Sequence, residues 1–68
     1  MEYKGRDIEV EVIRDVALGI IRTYHATYTI RQDEHILFTG AVGGGLKTDG
    51  DARVMARNAA RHWIDERS

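Results

Sequence analysis

Near the C-terminus, apolar residues keep one period for more than three helical turns: Ala52, Met55, Ala56, Ala59, Ala60, Trp63 and Ile64 fall at i, i+3, i+4, i+7, i+8, i+11 and i+12. Side chains at that spacing lie along a single stripe of an α-helix, and such a stripe has to be covered by another element. Alanines in the middle of the stripe permit close approach, while Met55, Trp63 and Ile64 are expected to fill the ends. Thr48, with Asp51 three residues on, resembles a capping box and marks where the helix starts. The covering layer must come from what precedes it.

What precedes reads as strand. Over residues 6–13 strict alternation sets Ile8, Val10 and Val12 on one face and Asp7, Glu9 and Glu11 on the other, as in a half-buried strand. Residues 14–19 are expected to turn the chain, although Val16, Ala17 and Leu18 are less polar than a typical loop. Residues 20–31 are rich in β-branched and aromatic types, with Ile20, Tyr24, Ala26, Tyr28 and Ile30 sharing one parity. After a polar break at Gln32, Asp33 and Glu34, a third run puts Ile36, Phe38, Gly40 and Val42 on one face and His35, Leu37, Thr39 and Ala41 on the other. A three-residue loop, 32–34, pairs Ile30 with Ile36, Tyr28 with Phe38, Ala26 with Gly40 and Tyr24 with Val42, because a slip by one residue would turn every side chain over. The small pair Ala26 and Gly40 would then leave a trough for the helix. The expected fold is α+β, a three-stranded antiparallel sheet with one C-terminal helix packed on one face (β-β-β-α), forming a single domain over residues 1–68.

The segment GAVGGGLKTDG, residues 40–50, has the look of a phosphate cradle. A nucleotide-binding loop places its lysine directly after the last glycine, whereas here Leu46 separates Gly45 from Lys47 and Thr48. Asp49 and Asp51 also occupy the helix start, where an anion would have to sit. Gly43, Gly44 and Gly45 are instead expected to supply positive φ where the chain leaves the third strand.

Composition narrows the function classes. A chain of 68 residues buries only about 60% of its unfolded surface, leaving a core too small for a deep pocket. With no cysteine, disulfides, thiol catalysis and thiolate metal sites are excluded, and no nucleophile, base and orienting acid fall into a recognisable pattern. Neither an enzyme, a metal site nor a cofactor is expected. The net charge of −1 gives no overall field for nucleic acid or anionic membranes, and no apolar run reaches signal-peptide or membrane-span length, so the expectation is a cytoplasmic protein.

Surfaces remain. Arg53, Arg57 and Arg61 recur at i, i+4 and i+8, followed by His62, and form a basic stripe expected on the outer face of the helix, a candidate contact for a partner protein or RNA. On the sheet face away from the helix, Ile21, Leu37, Thr27 and Thr39, with Ile13 and Thr29, form a candidate interface. His25 and His35 share that face without a carboxylate set to complete a metal site.

From YHATYTI through FTGAVGGGLKT to DARVMARNAARHWID, the chain resembles the HicB-like group of small domains, and in particular short stand-alone bacterial proteins of this shape. The resemblance implies three antiparallel strands and a helix, and a protein-binding role of the antitoxin type. The DNA-binding segment that full HicB antitoxins carry after this core is not expected, since the sequence stops at Ser68. A second resemblance is to the end of the double-stranded RNA-binding domain, carried by Ala59, Ala60, Trp63 and Ile64. That family has lysines where Asp49, Gly50, Asp51 and Ala52 stand. The reading is a non-enzymatic interaction module, self-associating as a homodimer or binding a small partner protein, with RNA binding as the alternative.

Overall fold

Three tight turns build the sheet in a computed structural model that describes residues 1–67. Lys4 and Gly5 (φ 51 and 79), Leu18 and Gly19 (54 and 74), and Asp33 and Glu34 (51 and 69) all have positive φ, as the central pair of a type I′ hairpin turn requires. They join β1 (Glu2–Tyr3), β2 (Arg6–Ala17), β3 (Ile20–Gln32) and β4 (His35–Leu46) into one antiparallel sheet of order β1-β2-β3-β4. The helix α1 (Asp49–Arg67) lies across one face.

The α+β class, the antiparallel sheet and the C-terminal helix match the expectation, but the sheet has four strands, not three. The additional strand, β1, is only two residues long, too short to carry a periodicity. Residues 14–17, expected in a turn, continue β2 to Ala17 and leave only Leu18 and Gly19 to reverse the chain. The third loop is likewise a two-residue turn. The missing residue reappears as a bulge at Leu37, because Arg31 pairs with Ile36 and Ile30 with Phe38.

A two-residue turn plus one bulged residue has the parity of a three-residue loop. From Phe38 onward the inward face is as expected while the partners move along by two: Ile30 faces Phe38, Tyr28 faces Gly40 and Ala26 faces Val42; before the bulge Ile36, expected inward, pairs with Arg31 and is exposed. The trough between Ala26 and Gly40 does not form, and the space above Gly40 is taken by the ring of Tyr28.

The core joins Ile8, Ala26, Tyr28 and Ile30 of the sheet to Ala52, Ala56, Ala60 and Ile64 of α1. Three alanines in that helical row bring its backbone close to the sheet. Met55 departs from expectation: it is 43% exposed, on the flank of the helix beside Leu46, where among the described residues no further strand lies outside β4 to cover it. Trp63 is half-buried, stacked on Phe38 at 5.2 Å between ring centres, with the Arg67 guanidinium 4.0 Å from its ring. At the helix start the amide of Asp51 donates to Thr48 Oγ1 at 3.1 Å, so Thr48 is the N-cap, as the sequence implied. The glycines at 43, 44 and 45 all take positive φ (89, 116 and 87). Two of them bulge out of the ladder, since Tyr24 pairs with Leu46 and His25 with Gly43.

One cluster ties the first hairpin to the last helical turns. Tyr3 Oη donates to Asp65 at 2.8 and 3.0 Å, and Lys4 Nζ donates to the same carboxylate at 2.7 Å.

Candidate interaction surfaces

The polar cluster with the most chemical appearance is Asp15, Thr23 and His25. Asp15 and Thr23 are paired across β2 and β3, and Thr23 and His25 share a face of β3. Thr23 Oγ1 donates to Asp15 Oδ2 at 3.2 Å and His25 Nδ1 lies 2.9 to 3.0 Å from the same carboxylate. The bond from His25, aided by that from Thr23, holds Asp15 below the usual carboxylate range. Nucleophilic catalysis needs the imidazole between acid and hydroxyl. Here imidazole and hydroxyl both address the acid, so the cluster braces a hairpin. His35 and His62 are spent locally, His35 Nδ1 at 3.1 Å from the carbonyl of Asp33 and His62 Nε2 at 2.9 Å from Glu66. Among the described residues no three His, Cys, Asp or Glu side chains form a metal-sized group.

The arginine row is not on the outer face of the helix. Arg53 lines a groove with Glu11, Val12, Ile13 and Arg14 of β2, and the Arg61 guanidinium stands 5.7 Å from the ring of Tyr3 and 3.7 Å from Met1 Sδ. Arg57, between them on the same row, is half-buried. The row therefore runs along the flank of α1 that overhangs β2; Arg57 and Arg61 are half-buried there, while Arg53 and His62 are exposed.

The sheet-face candidates are not one cluster either. Thr27 and Thr39 are diagonal neighbours, because Thr27 pairs with Ala41 and Thr29 with Thr39. Ile21 lies near the tip of the β2–β3 hairpin and Leu37 in the bulge beyond Ile30, at opposite ends of β3. Ten residues of strand separate Ile21 from Arg31, roughly 30 Å at the usual rise.

What the fold exposes is two sheet edges of opposite character. Among the described residues nothing pairs with the outer edge of β4, and this strand, HILFTGAVGGGL, contains no Lys, Arg, Asp, Glu or Pro. Edge strands are usually protected by such residues. Along it Ile36 (59% exposed), Leu37 and Phe38 stand open, and next to Leu46 the helix flank adds Val54 (54%) and Met55. The bulges at Leu37 and at Gly44 and Gly45 leave residues 38–43 as its regular stretch.

The other edge, β2, is charged. RDIEVEVIRDVA alternates acids and arginines with apolar residues, and β1 covers it only at Arg6 and Asp7, with Ile8 donating to the Met1 carbonyl at 2.6 Å. Beyond the ends of β4 and β1, the β2–β3 hairpin continues as a two-stranded arm whose tip is apolar, with Val16, Leu18, Ile20 and Ile21 exposed.

Periodicity alone places Met55 and Ile36 on the inward faces of helix and strand and does not mark Val54. The signal was present in the charge-free run from Ile36 to Leu46, which a protected edge would not show. No helix among the described residues is long and apolar enough to cross a membrane. Compared with protein-family models, with curated proteins and with solved structures, the chain matches none.

Proposed function

We propose that this protein is a non-enzymatic interaction module whose working surface is the edge of β4 together with the adjoining flank of α1, and that a second copy of the chain pairs there. The observation that carries the reading is the unprotected edge, a long strand without a lysine, arginine, aspartate or glutamate, rimmed by Ile36, Phe38, Leu46, Val54 and Met55. A free strand edge recruits another strand through its backbone groups, and the net charge of −1 opposes pairing of identical chains very little.

Antiparallel pairing of two copies sets residues of like parity opposite each other. With Gly40 on the two-fold axis, Phe38 faces Val42 of the second copy and Thr39 faces its Ala41. The sheet becomes continuous, both helices stay on one face, and the Val54 and Met55 flanks turn toward each other. A chain this short gains the apolar burial that one copy lacks. The HicB-like resemblance, which implies a protein-binding core, supports the same class of function.

Sedimentation equilibrium over micromolar to high-micromolar concentrations tests this. A dimer is expected, reduced to monomer by Ala41→Glu or Met55→Lys, both exposed in the single chain. A monomer for the unaltered protein at hundreds of micromolar would overturn the reading.

A further inference from the structure

The β2 edge suggests a second site. From Glu9 onward nothing among the described residues pairs with the outer side of β2, and a groove of about 410 Å3 runs between this edge and α1, lined by Glu11, Val12, Ile13, Arg14, Asp49 and Arg53. By alternation Arg14 shares the helix-side face with Ile8, Val10 and Val12, while Glu9 and Glu11 take the opposite face, where Glu9 pairs with Arg31 at 3.3 Å. Arg53 and Arg57 overhang from the helix. No ion pair engages Arg14, Arg53 or Arg57 among the described residues. The groove thus combines unpaired backbone groups on its floor with the unpaired guanidinium groups of Arg14 and Arg53 in its lining, and with Arg57 one helical turn further along the same row; of the two acids that line it, Asp49 lies at the helix start and Glu11 belongs by alternation to the opposite face.

We infer that this groove receives an extended, acidic segment of a partner protein, added as a strand to β2. Backbone groups of residues 9–14 set its register, and carboxylates on alternate residues of the ligand, which all face the helix, meet Arg14, Arg53 and Arg57 in charge-assisted hydrogen bonds. β1 already shows the mode: it lies antiparallel on this same edge, with Arg61 over its Tyr3, and the ligand extends the line that β1 begins. A second copy is a poor occupant, because pairing β2 with β2 would bring two arginine rows together. A nucleic acid could neutralise the arginines but would leave the strand's amides and carbonyls unmatched.

The test is fluorescence anisotropy with a labelled Val-Glu-Val-Glu-Val-Glu-Val-Glu peptide, its lysine counterpart, a version with proline at alternate valines, and a single-stranded RNA octamer. The glutamate peptide is expected to bind, to weaken at least tenfold with Arg53→Glu/Arg57→Glu and with added salt, and to shift the amides of residues 9–14. The lysine and proline versions should not bind. Ala41→Glu should leave peptide binding unchanged, which separates this site from pairing at β4. No binding of the glutamate peptide at millimolar concentration, equal binding of the proline version, or binding of RNA alone with the same arginine dependence would overturn the inference. Circular dichroism of each variant confirms that loss of binding is not loss of fold.

Discussion

Gly40 lies beneath the ring of Tyr28 on the neighbouring strand, so closely that a Cβ at position 40 would fall 2.5 Å from both Cζ and Oη. Tyr28 is buried and its ring is 6.0 Å from that of Phe38, so a retreat of the ring would disturb the core around it. Gly40→Ala is expected to destabilise the fold by about 1–3 kcal/mol, the usual range for overpacking. In a urea double-mutant cycle, Tyr28→Leu should remove most of that cost. Additive effects would mean that the glycine is needed for another reason.

Leu18 sits at the tip of the β2–β3 arm with φ 54 and is 91% exposed. A left-handed conformation is unfavourable for leucine and tolerated by asparagine, and almost no burial is lost by the exchange. Leu18→Asn should therefore raise stability by roughly 0.5–1 kcal/mol, read from the urea midpoint. A fall would show that the leucine makes contacts in the folded monomer or in an assembly.

Thr48 caps α1, the only helix among the described residues, and that helix covers the core. Thr48→Ala should cost about 1 kcal/mol, while Thr48→Ser should cost much less. Thermal unfolding distinguishes the two.

Acid and alkali should both loosen the clasp between the first hairpin and the helix end. The bonds from Lys4 and then Tyr3 hold Asp65 below the usual carboxylate range, so its contribution is present above the unfolded pKa and is lost as pH falls through the lower folded value. The bond to Asp65 raises Tyr3 and Lys4, so their contribution is present below their unfolded values and is lost as pH rises through the folded ones. Asp65→Asn should flatten the melting temperature against pH below about pH 4 and again at strongly alkaline pH. The acid slope left in that variant should belong in part to Asp15, which is lowered by His25 and Thr23. An unchanged profile would remove the clasp from the stability of the fold.

The helix was legible because thirteen residues hold one period, and its cap because Thr48 precedes that period at the right place. Parity in the sheet was legible for the same reason, yet register was not: alternation distinguishes odd from even and cannot tell Ile36 from Phe38 as the partner of Ile30. The turns could have been sized from the Lys-Gly and Leu-Gly pairs, whose glycine suits the second central position of a type I′ turn. Asp33-Glu34 lacks that glycine, and nothing local announced it. The position of the arginine row was hidden for another reason. Helical spacing places Arg53, Arg57 and Arg61 on one line but does not say which side of the line meets the sheet, which is decided by the buried row through Ala52 and Ile64.

The bond between Tyr3 and Asp65, 62 positions apart, brings the first and last elements to one corner of the molecule. A chain so arranged can be made into a ring with a short linker and reopened at Leu18 and Gly19, where the solvent-exposed tip holds nothing that the core requires. For the same reason the unit suits grafting into a surface loop of a larger host, since it enters and leaves by the same door.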